Sequence, residues 1–162
     1  MRPLTSIIAL IVIASTACGA VSPNRICLDV RKYSKDAEIS IYDTEYNSID
    51  VKTLKEVRAS HREMRRKYAP SFFKGRKFDC DDHAFTFKAM VSYHSLMQGK
   101  NFQCGVIMVK QVRAFGDVTA GGRHALNIIL VDGELKVLEP QTYKITPLSK
   151  YPNRSNITRL IL

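Results

Sequence analysis

Apolar residues recur at helical spacing across 50–68. Val51, Leu54, Val57, Met64 and Tyr68 fall near intervals of three and four. Asp50 stands where an N-cap belongs and Pro70 where a helix stops, so this stretch predicts a helix over 50–68. SFFKGRK (71–77), with Gly75 inside, reads as a loop. A second helix is predicted from about Asp79–Asp81 to Gln98, closed by Gly99. Cys80, Ala84, Phe87 and Val91 share its inward face. The period then changes to two. CGVIMVKQV (104–112), HALNIILV (124–131) and ELKVLEPQ (134–141) read as strands, and Asp132-Gly133 joins the last two as a tight hairpin. AFGDVTAGGR (114–123) is a flexible glycine-rich loop between the first two. Residues 21–47 read as irregular apart from a short strand at EISIY (38–42). Helices followed by antiparallel strands give an α+β fold class, helices packed on an antiparallel sheet.

The first 20 residues follow another logic. MRPLTSIIALIVIASTACGA has one basic residue, a short apolar run and then small residues, the layout of a secretory signal. The run is too short to span a bilayer. Two processing routes fit. STAC resembles a lipobox, with Cys18 lipidated as the new N-terminus, and plain cleavage after Ala17 or Ala20 is the other. The expectation is an exported protein, periplasmic, outer-membrane-anchored or secreted. Residues 1–20 are then the signal and 21–162 a single domain, taken as a monomer.

Residues 21–162 hold 24 basic and 15 acidic residues, with the charge gathered in KTLKEVRASHREMRRKYAPSFFKGRK (52–77). An anionic neighbour such as a cell-envelope polymer fits this balance. A solvated basic helix face fits it as well. Aromatic residues do not interleave with the basic ones, which argues against a dedicated nucleic-acid module. NRS (153–155) and NIT (156–158) read as a polar tail, acceptors of glycan only in a eukaryotic source. Four cysteines are present: Cys18, Cys27, Cys80 and Cys104. One arrangement is a Cys27–Cys104 disulfide with Cys80 left free.

Cys80 carries the chemistry. FDCDDHAF (78–85) puts it at a helix start, where the dipole and unpaired N–H groups favour thiolate, while Asp79, Asp81 and Asp82 oppose it. Such a thiol calls for a cationic partner. His124 opens a strand behind Gly121-Gly122-Arg123, placed to reach a helix N-terminus. A two-residue turn at Asp132-Gly133 pairs Val131 with Glu134 and, continued, sets His124 opposite Gln141 with Glu139 diagonal on the same face. Either can hold the imidazole: charge favours Glu139 and register favours Gln141. Asn127 faces the other way. Cysteine, histidine and acid or amide together follow nucleophile–base–orienter logic. The Cys80 backbone N–H is the expected oxyanion donor.

FDCDDHAF followed by GGRHALNIILVDGELKVLEPQT resembles the Cys–His–acid core of bacterial and phage transglutaminase-like, papain-like cysteine peptidases. It is also similar to the C-terminal peptidase domain of a fungal agglutinin. The resemblance covers about 50–146. It implies a papain-like core, with Cys80 as nucleophile, His124 as base and Glu139 as orienting acid, and Gln141 accessory. The reaction implied is amide hydrolysis or acyl transfer through a thioester on a peptide or protein substrate. One departure is His83, where the family pattern has an aromatic residue; one turn from Cys80, it competes as the base. The fungal relatives imply calcium beside Asp81 and Asp82, whereas Arg76 and Phe78 are not ligands, so no cofactor is expected. Three other readings remain open. An NlpC/P60-like peptidoglycan peptidase fits the export and charge, but cysteine there is followed by serine and glycine. A zinc cluster of Cys80, His83, Cys104 and His124 has workable spacing on the helix. The last is a non-catalytic exported lipoprotein or interaction protein on a peptidase-like fold.

Overall fold

The computed structural model describes residues 20–72 and 78–162, and the side chains of 69–72 lie outside that description. The first helix is one the hydrophobic pattern did not predict. Ser22 accepts from the Arg25 N–H, Pro23 opens the first turn, and α1 runs Pro23–Arg31. It buries Ile26, Cys27 and Val30. The strand expected at 38–42 is shorter, with β1 at Glu38–Ser40.

α2 spans Val51–Phe72. Asp50 caps it: its carboxylate accepts from the Thr53 N–H at 2.7 Å and the Thr53 hydroxyl at 3.0 Å. Pro70 does not end the helix, contrary to expectation. A proline within the last turn forfeits one hydrogen bond near an end that is losing its partners anyway. The buried stripe is Leu54, Val57 and His61, whereas Val51 and Tyr68 are exposed. α3 spans Cys80–Gln98 as predicted, with Asp79 at the N-cap and Gly99 in the left-handed conformation at its end. Ala84, Phe87 and Val91 are buried along one face, as their spacing required. The expected loop 71–77 begins inside α2, and residues 73–77 lie outside the described residues.

The strands are β2 (Cys104–Lys110), β3 (Arg123–Val131), β4 (Glu134–Leu138), β5 (Ile145–Pro147) and β6 (Ile157–Ile161). They form one sheet in the order β1-β6-β2-β3-β4-β5. The fold is α+β, with three α-helices and a six-stranded sheet. The sheet is mixed and not antiparallel throughout, because β1 runs parallel to β6. β6 corrects the reading of the C-terminus as a polar tail: Ile157 and Leu160 are buried, and the strand lies between β1 and β2. Asn153 is fully buried, accepting from the Val112 and Arg113 N–H groups and donating to the Arg113 carbonyl, so its amide is no glycan acceptor. The hairpin register is as predicted from Val131–Glu134 back to Asn127–Leu138. Asp132 (φ 49°) and Gly133 (φ 79°) both take positive φ, as the tight turn requires.

Strand alternation splits the core. On β3, Leu126 and Ile128 join α1, Tyr46 and Tyr151 in one cluster, while Ile129 and Val131 join Leu54 and Val57 of α2 and Phe87 and Val91 of α3 in another. No helix among the described residues is long and apolar enough to cross a membrane. Residues 1–19, including Cys18, lie outside the described residues, and nothing in the fold supports the signal-peptide and lipoprotein reading.

Candidate functional site

Three of the four residues expected at the site converge where α3 begins and β3 opens. Glu139 follows β4 and is fully buried; His124 is 6% exposed. The His124 Nε2–H donates to Glu139 Oε2 at 2.6 Å. That bond leaves Nδ1 as the ring's acceptor. Glu139 Oε1 accepts the Gln141 backbone N–H at 3.0 Å, so each carboxylate oxygen is engaged. Charge therefore decides between the two partners proposed for the imidazole. β4 stops pairing at Leu138, and the register that would set Gln141 opposite His124 is not continued. Gln141 serves Glu139 through its main chain instead.

Cys80 is half-buried at the first position of α3. Its sulfur meets the Ala125 backbone N–H, one residue beyond His124. Among the described hydrogen bonds it has none to the His124 ring. Burial pushes the Cys80 thiol up, the Ala125 N–H opposes this, and the charges of Asp79 and Asp81 add to the rise. The resting group is a neutral thiol rather than the thiolate expected from the helix terminus alone. Forming the nucleophile here requires a base.

The glycine loop over the site is pinned. Gln111 holds it through Gly121, Gly122, Val118 and Thr119. Gly116 (φ 66°) lies against Thr142 and Glu139; a Cβ there would come within 3.0 Å of the Thr142 hydroxyl.

His83 is buried with Nδ1 unpartnered among the described residues, its ring edge-on to Phe78 at 4.4 Å. Burial first, and the nearby Arg65 charge second, push its pKa down to about 4. Asn127 faces away as predicted, donating to the Ala84 and Gly105 carbonyls. The zinc arrangement is not assembled. Cys104 is buried in the α2–α3 core cluster beside Asn127, and its thiol is pushed up to about 12 by burial. Cys27, Cys80 and Cys104 are all free thiols, so the Cys27–Cys104 disulfide is absent; Cys27 belongs to the core cluster on the other face of the sheet. The ligand atoms of Asp79, Cys80 and Asp81 lie within 4.8 Å of one another. Two exposed carboxylates and a thiol do not fit calcium, which takes six to eight oxygens.

A half-buried network beside the site escaped the sequence reading. Thr86 spends its hydroxyl hydrogen on the Asp82 carbonyl at 2.7 Å, so it accepts from His61 Nε2 at 3.2 Å. His61 Nδ1 then accepts from the Tyr143 hydroxyl at 2.8 Å. Burial, with the Arg65 charge second, pushes the pKa of His61 down to about 4. The signal was present: His61 lies four residues after Val57 on the buried stripe of α2. Tyr143 sits at φ 61°, and its N–H closes a turn onto the Glu139 carbonyl at 2.7 Å.

No protein-family model and no curated protein matches the chain. Among solved structures, PSL1a in complex with E64 shares the fold with a TM-score of 0.62 at 14% identity, covering 88% of this chain and 51% of that one. Polyporus squamosus lectin, bound to the human-type influenza-binding epitope Neu5Aca2-6Galb1-4GlcNAc, does so with a TM-score of 0.55 at 15% identity, covering 88% and 49%. The chain thus spans about half the length of these structures, and the likeness is one of fold. It corrects the resemblance drawn from FDCDDHAF and GGRHALNIILVDGELKVLEPQT. The protein named among these structures is a lectin, and neither structure is named as a transglutaminase-like or papain-like peptidase. The peptidase and acyltransferase expectations are withdrawn with it, as are the NlpC/P60-like and lipoprotein alternatives.

Proposed function

We propose that the functional centre of this chain is a thiol site, with Cys80 as nucleophile, His124 as its base and Glu139 as the positioning acid. The carrying observation is the buried 2.6 Å bond from His124 to Glu139, one residue from the N–H that meets the Cys80 sulfur. The bond fixes the tautomer and leaves Nδ1 to take the thiol proton. Gln141 supports the acid through its backbone N–H. A structure of similar fold is a complex with E64, which makes that reagent the probe to try. The activity this arrangement supports is reaction of the Cys80 sulfur with an electrophile.

E64 is an epoxide, and its reaction tests the assignment. His124 Nδ1 takes the Cys80 proton, sulfur bonds to a ring carbon, the C–O bond breaks, and the alkoxide takes the proton back. Intact mass should rise by one whole reagent. Cys80→Ser should abolish the gain, and His124→Ala should slow it by at least about 100-fold near neutral pH. Cys27 and Cys104, at 8% and 3% exposure, should stay unlabelled in the folded protein. In His124→Ala the residual rate should climb only in the alkaline range, because the thiol pKa is raised. Equal labelling rates in wild type and His124→Ala would remove His124 from the site.

A carbohydrate ligand is the second reading. A similar structure is a lectin bound to a sialylated glycan, and a net charge of +10 favours an acidic one. Retention on an immobilised sialylated glycan, lost after desialylation, is the expected result. Equal retention before and after would leave this reading without support.

A further inference from the structure

The basic stretch of α2 is only partly used by the thiol site. Arg58, Arg62, Arg65 and Arg66 follow one another at intervals of four, three and one, on the side of the helix that meets the segment after β4. Arg62, Arg65, Arg66, Gln141 and Tyr143 line an open cleft of about 460 Å³. The Arg62 guanidinium lies 5.2 Å from the Tyr143 ring centroid. Arg65 Nη1 donates to the Gln141 carbonyl at 3.0 Å and to the Pro140 carbonyl at 3.3 Å. Among the described ion pairs, none joins any of the four arginines to a carboxylate. Arg58 Nε and Nη2 are buried without a hydrogen-bond partner among the described residues.

Four guanidinium groups on one helix face repel one another, and buried donors without acceptors are costly. Three of them, Arg62, Arg65 and Arg66, line the cleft, where an anion can bridge their forks. We propose that this cleft is an oxyanion-binding site, taking a carboxylate or phosphate borne on a group the size of a monosaccharide. The volume decides the size, since it holds far more than a bare ion. Burial lowers the pKa of Arg58; Tyr143 opposes this and the neighbouring Arg62 charge adds to it.

The cleft is joined to the thiol site. Arg65 holds the carbonyl of Gln141, and the N–H of Gln141 holds Glu139. An oxyanion on the outer arginines therefore rests beside Arg65, whose partner Gln141 stands two residues from the acid that positions His124. The inference names the ligand class for the carbohydrate reading, yet it stands on the arginines alone.

Calorimetric titration of the full chain at low salt tests it, with glucuronate, glucose 6-phosphate, glucose and inorganic phosphate as probes. Wild type, Arg62→Gln and Arg66→Gln are compared with Arg113→Gln, which alters a separate basic cleft. The expected result is binding of glucuronate or glucose 6-phosphate and not of glucose. Affinity should fall about tenfold in Arg62→Gln and Arg66→Gln, be unchanged in Arg113→Gln, and weaken with added salt. Binding of inorganic phosphate with the same arginine dependence, but of neither sugar, overturns the monosaccharide-sized ligand and counts against the carbohydrate reading. Binding of glucose as tight as glucuronate, binding indifferent to Arg62 and Arg66, or no binding of any anion overturns the proposal. Unchanged melting temperatures in the variants separate loss of ligand from loss of fold.

Discussion

Glu139 shows how much one residue carries here. It is fully buried, one oxygen accepts from His124 and the other from the Gln141 N–H, while its main chain closes a turn onto Tyr143. A carboxylate in such a place survives only because both oxygens are engaged and a group that can become a cation sits against it. Glu139→Gln keeps the volume and can still offer an oxygen to the imidazole, but it cannot stabilise the imidazolium that forms when His124 takes the thiol proton. The expected outcome is a fall in E64 labelling of roughly 10- to 100-fold, with the folded state retained. Rates followed by intact mass in wild type and variant check it. An unchanged rate would reduce Glu139 to a structural group. At Gln141 the side chain lines the arginine cleft and the backbone supports Glu139, so Gln141→Ala should leave the labelling rate within about twofold.

At the scale of elements, the sheet is most constrained where β2 lies between β6 and β3. Gly105 is there because the space is filled. A Cβ would come within 2.9 Å of the Ile161 carbonyl oxygen and 3.0 Å of Ile128 and Leu162 side-chain atoms. The nearest neighbour is backbone and cannot rotate aside. Gly105→Ala should therefore destabilise the protein by about 1–3 kcal/mol, read as a lower urea midpoint with unchanged slope. A neutral result would mean that β6 shifts without cost. Long elements with one strong period were legible in the sequence: α3 from its inward stripe and Gly99, and β3–β4 from Asp132-Gly133. Short elements were not. α1 has nine residues, too few for periodicity to rise above the surrounding chain, although Ser22-Pro23 announced its start. β6 has five, and its pairing with β1 and β2 comes from distant residues that no local pattern contains. The same division holds in the site. Charge pointed to Glu139 beside His124, while the Ala125 N–H and the His61–Tyr143 link depend on packing between α2, α3 and the turn after β4.

For the whole molecule, the two buried histidines between α2, α3 and the segment after β4 set the response to acid. His61 and His83 both have pKa values pushed down to about 4, chiefly by burial and then by Arg65. In the unfolded chain each returns to about 6.5. Between these values the unfolded state binds more protons, so stability rises with pH across the window. It is fully present above about 6.5, falls as pH drops through the window and levels off below about 4. For each histidine the full effect is roughly 3 kcal/mol. Carboxylates act lower: Asp50, held down mainly by the Thr53 N–H, loses its contribution only below about 4. Urea unfolding at pH 7.5, 5.5 and 4.5 should show the midpoint falling steadily. His83→Phe isolates one contributor, since Nδ1 of His83 has no partner among the described residues to lose and the ring can keep its edge-on contact with Phe78. That variant should stay within about 1.5 kcal/mol of wild type at pH 7.5 and lose roughly half of the pH dependence. His61→Phe should cost stability at every pH, because it breaks the bonds to Tyr143 and Thr86 that tie the arginine cleft to α3. If His83→Phe leaves the pH dependence intact, the acid response arises elsewhere, and the pair of neutral histidines is not what holds this side of the molecule together.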